Sequence, residues 1–125
     1  MFDPREFINV SRGLSASGLT EAQYRTAVSR ALYGIFLWAR EELERRDQHV
    51  KSTAVGRKGD EHGNVRQRFL SGPFKHGGVH QRLGSLYRLR GKSDYELDTT
   101  VRRADVLQAL DHVAYIEKHF ERTFS

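Results

Sequence analysis

Cysteine is absent from the 125-residue chain, which removes disulfides, thiolate zinc sites and a cysteine nucleophile at once. Any catalysis must use His, Asp, Glu, Lys, Arg, Ser, Thr or Tyr. No stretch reaches the roughly 18 consecutive apolar residues of a membrane-spanning helix, and the opening MFDPREF lacks the basic-then-apolar order of a secretory signal. A cytoplasmic protein with no membrane partner is expected. There is no Gly-rich phosphate loop with a lysine, no G-x-S-x-G elbow and no H-E-x-x-H pair. No alternating apolar pattern argues for strands, and no internal repeat is visible. What is present is 38% apolar, 10% aromatic and 30% charged, the composition of one folded domain over residues 1–125 with room for a single core.

The net charge of +5 is unevenly placed. From Arg45 to Lys92 twelve Lys and Arg face three acids, a local balance of +9, and the rest of the chain is net negative. Four of the six histidines, His49, His62, His76 and His80, fall in the same stretch. Such asymmetry attracts polyanions, of which nucleic acid is the commonest in the cytoplasm. A solvated basic surface with no partner has the same composition.

Helical signals account for nearly all of the chain. Asp3 can cap a helix with Pro4 at its first position, and Phe7, Ile8 and Val10 give it an apolar face up to Gly13. Thr20-Glu21-Ala22-Gln23 fits the capping box. From Tyr24 through Ala27, Val28, Ala31, Leu32, Ile35, Phe36, Ala39 and Leu43 the apolar residues step by three and four without a proline, which predicts a helix to about Arg46. Small residues at 27, 31 and 39 permit close approach, whereas Leu37 and Trp38 widen the apolar face and predict burial on two sides, including against a partner subunit. Residues 47–64 read as a mobile loop. Val65 and Phe69 predict a short helix ended by Gly72 and Pro73, and Val79, Leu83, Leu86 and Leu89 predict another. A last helix is predicted from near Thr100, with a stripe from Val101 to Phe124. The expected fold is all-α, a helical bundle of two long antiparallel helices, the second and the last, with shorter helices packed around them.

The fourth predicted helix ends in LYRLRGKSDYEL, where Arg88, Arg90 and Lys92 offer a phosphodiester clamp. On one continuous helix residues 88 and 90 point about 200° apart, so a joint grip requires the helix to end between them, and Gly91 permits such an ending. C-terminal capping by these cations, with Asp94 paired to one of them, explains the same stretch. His62 follows Arg57 by five positions, next to Lys58. A neutral imidazole can take the 2'-hydroxyl proton of RNA while a guanidinium stabilises charge on the phosphorus oxygens, with no metal. His76 and His80 stand four apart, a chelating spacing, but twin glycines intervene and no third ligand is near, so no metal or cofactor is assigned.

Three stretches in order carry a resemblance. R-x-A-x-x-R-A-L-Y-G-I-F-x-x-A-R (Arg25 to Arg40), H-G-x-V-x-x-x-F (His62 to Phe69) and L-x-x-L-x-x-L-R-G-K-S-D-Y (Leu83 to Tyr95) resemble the small stand-alone HEPN-domain proteins of bacteria and archaea. The resemblance spans Tyr24 to Phe120. It implies a HEPN-like helical bundle that forms a homodimer, with an Arg-x4-6-His segment in a cleft between subunits. Active members are metal-independent endoribonucleases of toxin-antitoxin, CRISPR-linked and other defence systems.

By position Arg90 matches the family arginine, but the histidine expected four to six residues later is replaced, with Tyr95 at the fifth position. A phenol with a pKa of about 10 is a poor base at neutral pH, though it can donate to an oxyanion. His62 matches a histidine that recurs in this branch and is the candidate to supply the imidazole, with Arg90 on the phosphate and Asp94 or Tyr95 orienting it. The candidate catalytic set is therefore Arg90, His62, Asp94 and Tyr95, and the candidate RNA-binding set is Arg57, Lys58, Arg88 and Lys92. Two other roles fit the same residues. One is non-catalytic binding of RNA or a nucleotide, and the other is partnership with an antitoxin or a nucleotidyltransferase.

Overall fold

Four of the five described helices start where a side chain can take a backbone donor. The Asp3 carboxylate accepts from the Arg5 N–H at 3.0 Å and opens α1 (Arg5–Gly13). Thr20 and Gln23 form a complete capping box, with bonds of 3.2 and 2.8 Å, and open α2 (Glu21–Arg45). After α3 (Asp60–Leu70), His76 Nδ1 accepts from Val79 N–H at 3.1 Å and opens α4 (Gly77–Tyr95). Asp105 accepts from Arg102 N–H at 2.9 Å and opens α5 (Arg103–Thr123), a little later than Thr100. The delay has a cause: Val101 is buried, and its N–H is held by Glu21 at 3.2 Å, so the chain stays extended there. The computed structural model describes residues 1–51 and 60–125, and among them there are five helices and no strand.

The all-α class is as expected, but the directions of the long helices are not. Glu21 at the start of α2 binds Val101 just before α5, while Arg46 at the end of α2 donates to the Phe124 carbonyl at 3.3 Å. Trp38 packs on Phe120 at 5.3 Å between centroids. The beginnings lie together and the ends lie together, so α2 and α5 run parallel. The antiparallel partner of both is α4: its end meets the start of α2 through Arg25, and its Arg82 and Lys92 meet Asp111 and Asp105 of α5. One return helix between two long ones forces the third to travel in the direction of the first.

One further expectation changes in part. The loop expected over 47–64 falls partly outside the described residues, and its last part already belongs to α3. Its first part is held in place, because the Glu44 carboxylate accepts from the N–H groups of Val50 and Lys51 at 2.6 and 2.7 Å and Val50 is fully buried. Those donors pull the Glu44 carboxyl below its ordinary range, the Lys51 N–H most of all. Trp38 packs within the chain on Phe120 and lies 5.2 Å from the Arg5 guanidinium, and it stays partly exposed.

The core follows the α2 stripe. Ala27, Ala31, Ile35, Ala39 and Leu43 are fully buried, and α1 closes on α2 across Gly34. A side-chain carbon at Gly34 would meet Ile8 Cγ1 at 2.7 Å and the Pro4 carbonyl at 3.0 Å. Ser11, buried beside them, donates to the Ala27 carbonyl at 2.7 Å. No helix among the described residues is long and apolar enough to cross a membrane.

Glycine substitutions separate packing from propensity. Gly34→Ala is expected to lower unfolding free energy by about 1–3 kcal/mol through overpacking. Gly91→Ala, inside α4 with nothing within 4 Å of the new carbon, is expected to raise it by about 0.5–1 kcal/mol. Urea unfolding of the two variants checks the pair, and a destabilised Gly91→Ala would contradict a helical Gly91.

Candidate functional site

The geometry of the site begins with how α4 ends. Gly91 does not stop the helix, which continues to Tyr95. The reason lies in α2: the Arg25 guanidinium donates to the carbonyls of Lys92, Ser93, Glu96 and Thr99 at 3.2, 2.9, 3.1 and 2.5 Å, taking acceptors that a helix end leaves open. With α4 helical throughout, Arg90 and Asp94 are one turn apart and bond at 3.0 Å. Arg88 and Lys92 are also one turn apart, but on the opposite side. Arg88 is exposed and donates to Ser85 Oγ at 3.1 Å, and Lys92 pairs with Asp105 at 3.2 Å. The expected clamp of Arg88, Arg90 and Lys92 on one phosphate is therefore not formed.

Arg90 instead faces a cleft of about 540 Å³ between α2, the start of α3 and the end of α4. His62 and Arg90 line it together, as does Tyr95, which is 71% exposed and has the Arg90 guanidinium 5.7 Å from its ring. Sequence reasoning missed five more lining residues: Tyr33, Phe36 and Arg40 of α2, Glu61 of α3 and Tyr87 of α4. Tyr33 and Tyr87 keep part of their rings exposed. Arg40 pairs with Glu61 at 3.2 Å and with Glu41 at 3.3 Å. Their signal was present in the α2 stripe, where Tyr33, Phe36 and Arg40 recur at helical spacing, but the same spacing describes a core. Arg57 and Lys58 lie outside the described residues.

His62 is the most perturbed group in the cleft. Its ring stacks on Phe36 at 3.8 Å and 17° and leans on Tyr87 at 5.3 Å. Burial first, and then repulsion from Arg90, push its pKa down from 6.5 to about 4, against an opposite pull from Glu61 and with a lesser repulsion from Arg40. The imidazole is neutral at neutral pH. It therefore offers a free lone pair beside two guanidinium groups, which is the charge arrangement that general-base attack on a phosphodiester needs.

The basic segment is less bare in space than in sequence. Arg45 and Arg46 pair with Glu42, Lys51 with Glu41, and Arg82 with Asp111, so acids from α2 and α5 answer cations from the segment. His76 and His80 do not converge on a metal: His76 caps α4 and lies 4.0 Å from the His119 ring, and His80 Nδ1 is 3.1 Å from the Arg66 carbonyl.

The depressed pKa has a definite sign in stability. Between pH 6.5 and 4 the unfolded chain takes up a proton at His62 that the folded chain refuses, so this contribution is complete above 6.5 and is lost as pH falls. His112 and His119, also lowered chiefly by burial, act in the same direction. Comparison with His62→Gln isolates the effect: wild type should lose stability relative to the variant across that window, and the His62 NMR titration should have its midpoint near 4. A midpoint near 6.5 would contradict the desolvated stack. No protein-family model, curated protein or solved structure matches the chain, so the cleft is read from its own chemistry.

Proposed function

We propose that the protein is a HEPN-type, metal-independent endoribonuclease that takes single-stranded RNA in the cleft of His62 and Arg90. The observation that carries this reading is a neutral imidazole and two arginines facing one aromatic-lined space. Tyr33, Tyr87 and Tyr95 present π-faces on which unpaired bases stack, which is the usual mode of single-strand recognition. Arg90 and Arg40 hold the phosphate and exchange their carboxylate partners for it. His62 takes the 2'-hydroxyl proton, the 2'-oxygen forms a bond to phosphorus, and the bond to the 5'-oxygen breaks. The departing 5'-oxygen takes a proton from water, leaving a 2',3'-cyclic phosphate and a 5'-hydroxyl. Asp94 holds Arg90 toward the cleft through its 3.0 Å bond until the phosphate replaces it, and the Tyr95 phenol, which lines the same cleft, donates to a phosphate oxygen. By the same resemblance the proposal extends to a homodimer in a toxin-antitoxin or defence setting, with an antitoxin or nucleotidyltransferase partner.

A second reading, RNA binding without cleavage, is favoured by the low basicity of His62, since a general base is most effective with a pKa near the working pH. A phosphate beside the ring works against this. Its negative charge offsets the repulsion from Arg90 and Arg40 and returns the imidazole toward neutrality-range titration.

The two readings separate in one assay. Single-stranded RNA incubated with the protein in EDTA should be cut to products ending in a cyclic phosphate. Arg90→Ala and His62→Ala should each slow cutting by about 100-fold or more. Intact RNA bound in a salt-sensitive way leaves the binding reading alone, and no binding removes both.

A further inference from the structure

We infer that a second chamber next to the cleft is a subsite for the sugar and phosphate of an adjoining nucleotide, in which Ser93 and Asp94 recognise the ribose 2'-hydroxyl. This rests on the RNA reading of the cleft and names what that site selects. The chamber has a volume of about 360 Å³ and is lined by Arg25, Thr26, Ser29, Arg30, Ser93 and Asp94.

Its chemistry complements that of the cleft. The cleft offers aromatic rings to bases, whereas no aromatic residue lines the chamber, which presents hydroxyls, one carboxylate and guanidinium groups. That is a surface for a nucleic-acid backbone rather than for a base. The two spaces adjoin. Arg30 of the chamber lies 5.0 Å from the Tyr33 ring of the cleft, and Asp94 of the chamber bonds Arg90 of the cleft at 3.0 Å. On α2 the residues Thr26, Arg30, Tyr33, Phe36 and Arg40 follow at steps of three and four, so one helix face runs the length of both spaces.

Among the residues that line the chamber, Ser93 is one that folding does not explain. It is 4% exposed, and its Oγ has no hydrogen-bond partner among the described residues. A helical serine ordinarily satisfies its hydroxyl on a carbonyl one turn back, and a buried hydroxyl left unpaired costs free energy that an alanine would not. The neighbouring polar groups are loosely engaged. Ser29 Oγ donates to Asp94 at 3.4 Å and accepts from Arg30 at 3.4 Å, at the limit of hydrogen bonding and easily exchanged for a ligand. Arg25 is different, because its donors are committed to four carbonyls. Phosphate binding in the chamber therefore falls to Arg30. A ribose 2'-hydroxyl is both donor and acceptor, and the pair of Ser93 and Asp94 supplies a donor hydroxyl and an accepting carboxylate for it; deoxyribose leaves the Ser93 hydroxyl without a partner.

The test compares binding of a short labelled oligoribonucleotide with that of the deoxy oligonucleotide of the same sequence. All proteins carry His62→Gln so that the RNA survives. The parent should bind RNA more tightly than DNA, and Ser93→Ala should weaken RNA binding by about three- to tenfold, one hydrogen bond's worth, with DNA binding unchanged. The same Ser93→Ala protein should unfold at equal or higher urea than its parent, which a purely structural serine would not allow. An RNA-to-DNA ratio unchanged by Ser93→Ala, in a protein that Arg90→Ala prevents from binding RNA, overturns the subsite and leaves the cleft reading standing. Binding that survives Arg90→Ala overturns the cleft reading, and the subsite falls with it.

Discussion

The Arg25 guanidinium is the contact on which the arrangement of this molecule depends. Its Nη atoms hold four carbonyls at the end of α4 and in the turn that follows, and its Nε is held by Glu21 at 2.9 Å. Glu21 in turn accepts from Val101, and this donor together with Arg25 lowers its carboxyl pKa. One cation and one anion thus tie the start of α2 to the end of α4 and the approach to α5. A planar guanidinium suits this work because its five donors spread in a fixed fork, which a lysine ammonium does not offer. The functional consequence is the register of α4: with its last turn completed through Tyr95, Arg90 and Asp94 share the face that looks at α2.

The electrostatics of the cleft are those of a balanced site. Arg90 is held by Asp94, and Arg40 by Glu61 and Glu41, so neither guanidinium stands in bare solvent. Ion pairs that reach solvent contribute only about 0–1 kcal/mol each, so a phosphate that enters can displace them at small cost. The carboxylates also keep the arginines extended toward the cleft in the absence of ligand, which reduces the ordering that binding requires.

Much of the fold could be read from local pattern, and most of the site could not. The capping box at Thr20, the α2 stripe and the helical class follow from neighbours in sequence, where periodicity and caps are written. The end of α4 does not, because Gly91 permits a stop and only Arg25, far away on α2, cancels it. The direction of α5 depends on α4 serving as the return helix between α2 and α5, which no single window contains. Of the candidate site residues, Arg90, His62, Asp94 and Tyr95 share one neighbourhood. Arg88 and Lys92 do not, because two positions on a continuous helix turn a side chain about 200°, to the opposite side. Phe36, Arg40 and Ser93 escaped notice since a residue facing a cleft and one facing the core keep the same helical spacing.

His62 connects these strands of the structure. The stack on Phe36 that fixes its ring also removes it from water, and removal from water, with Arg90 and Arg40 close by, keeps it unprotonated. Linkage makes the relation reciprocal: an anion that raises the affinity of the ring for a proton is itself bound more tightly once the proton is there. In the proposed reaction the proton arrives from the 2'-hydroxyl at the step in which charge builds on the phosphate, so His62 becomes cationic when a cation is most useful. An imidazole that started protonated would bind the phosphate but have no lone pair for the hydroxyl. In that proposed reaction the desolvated stack keeps His62 neutral until the 2'-hydroxyl proton charges it.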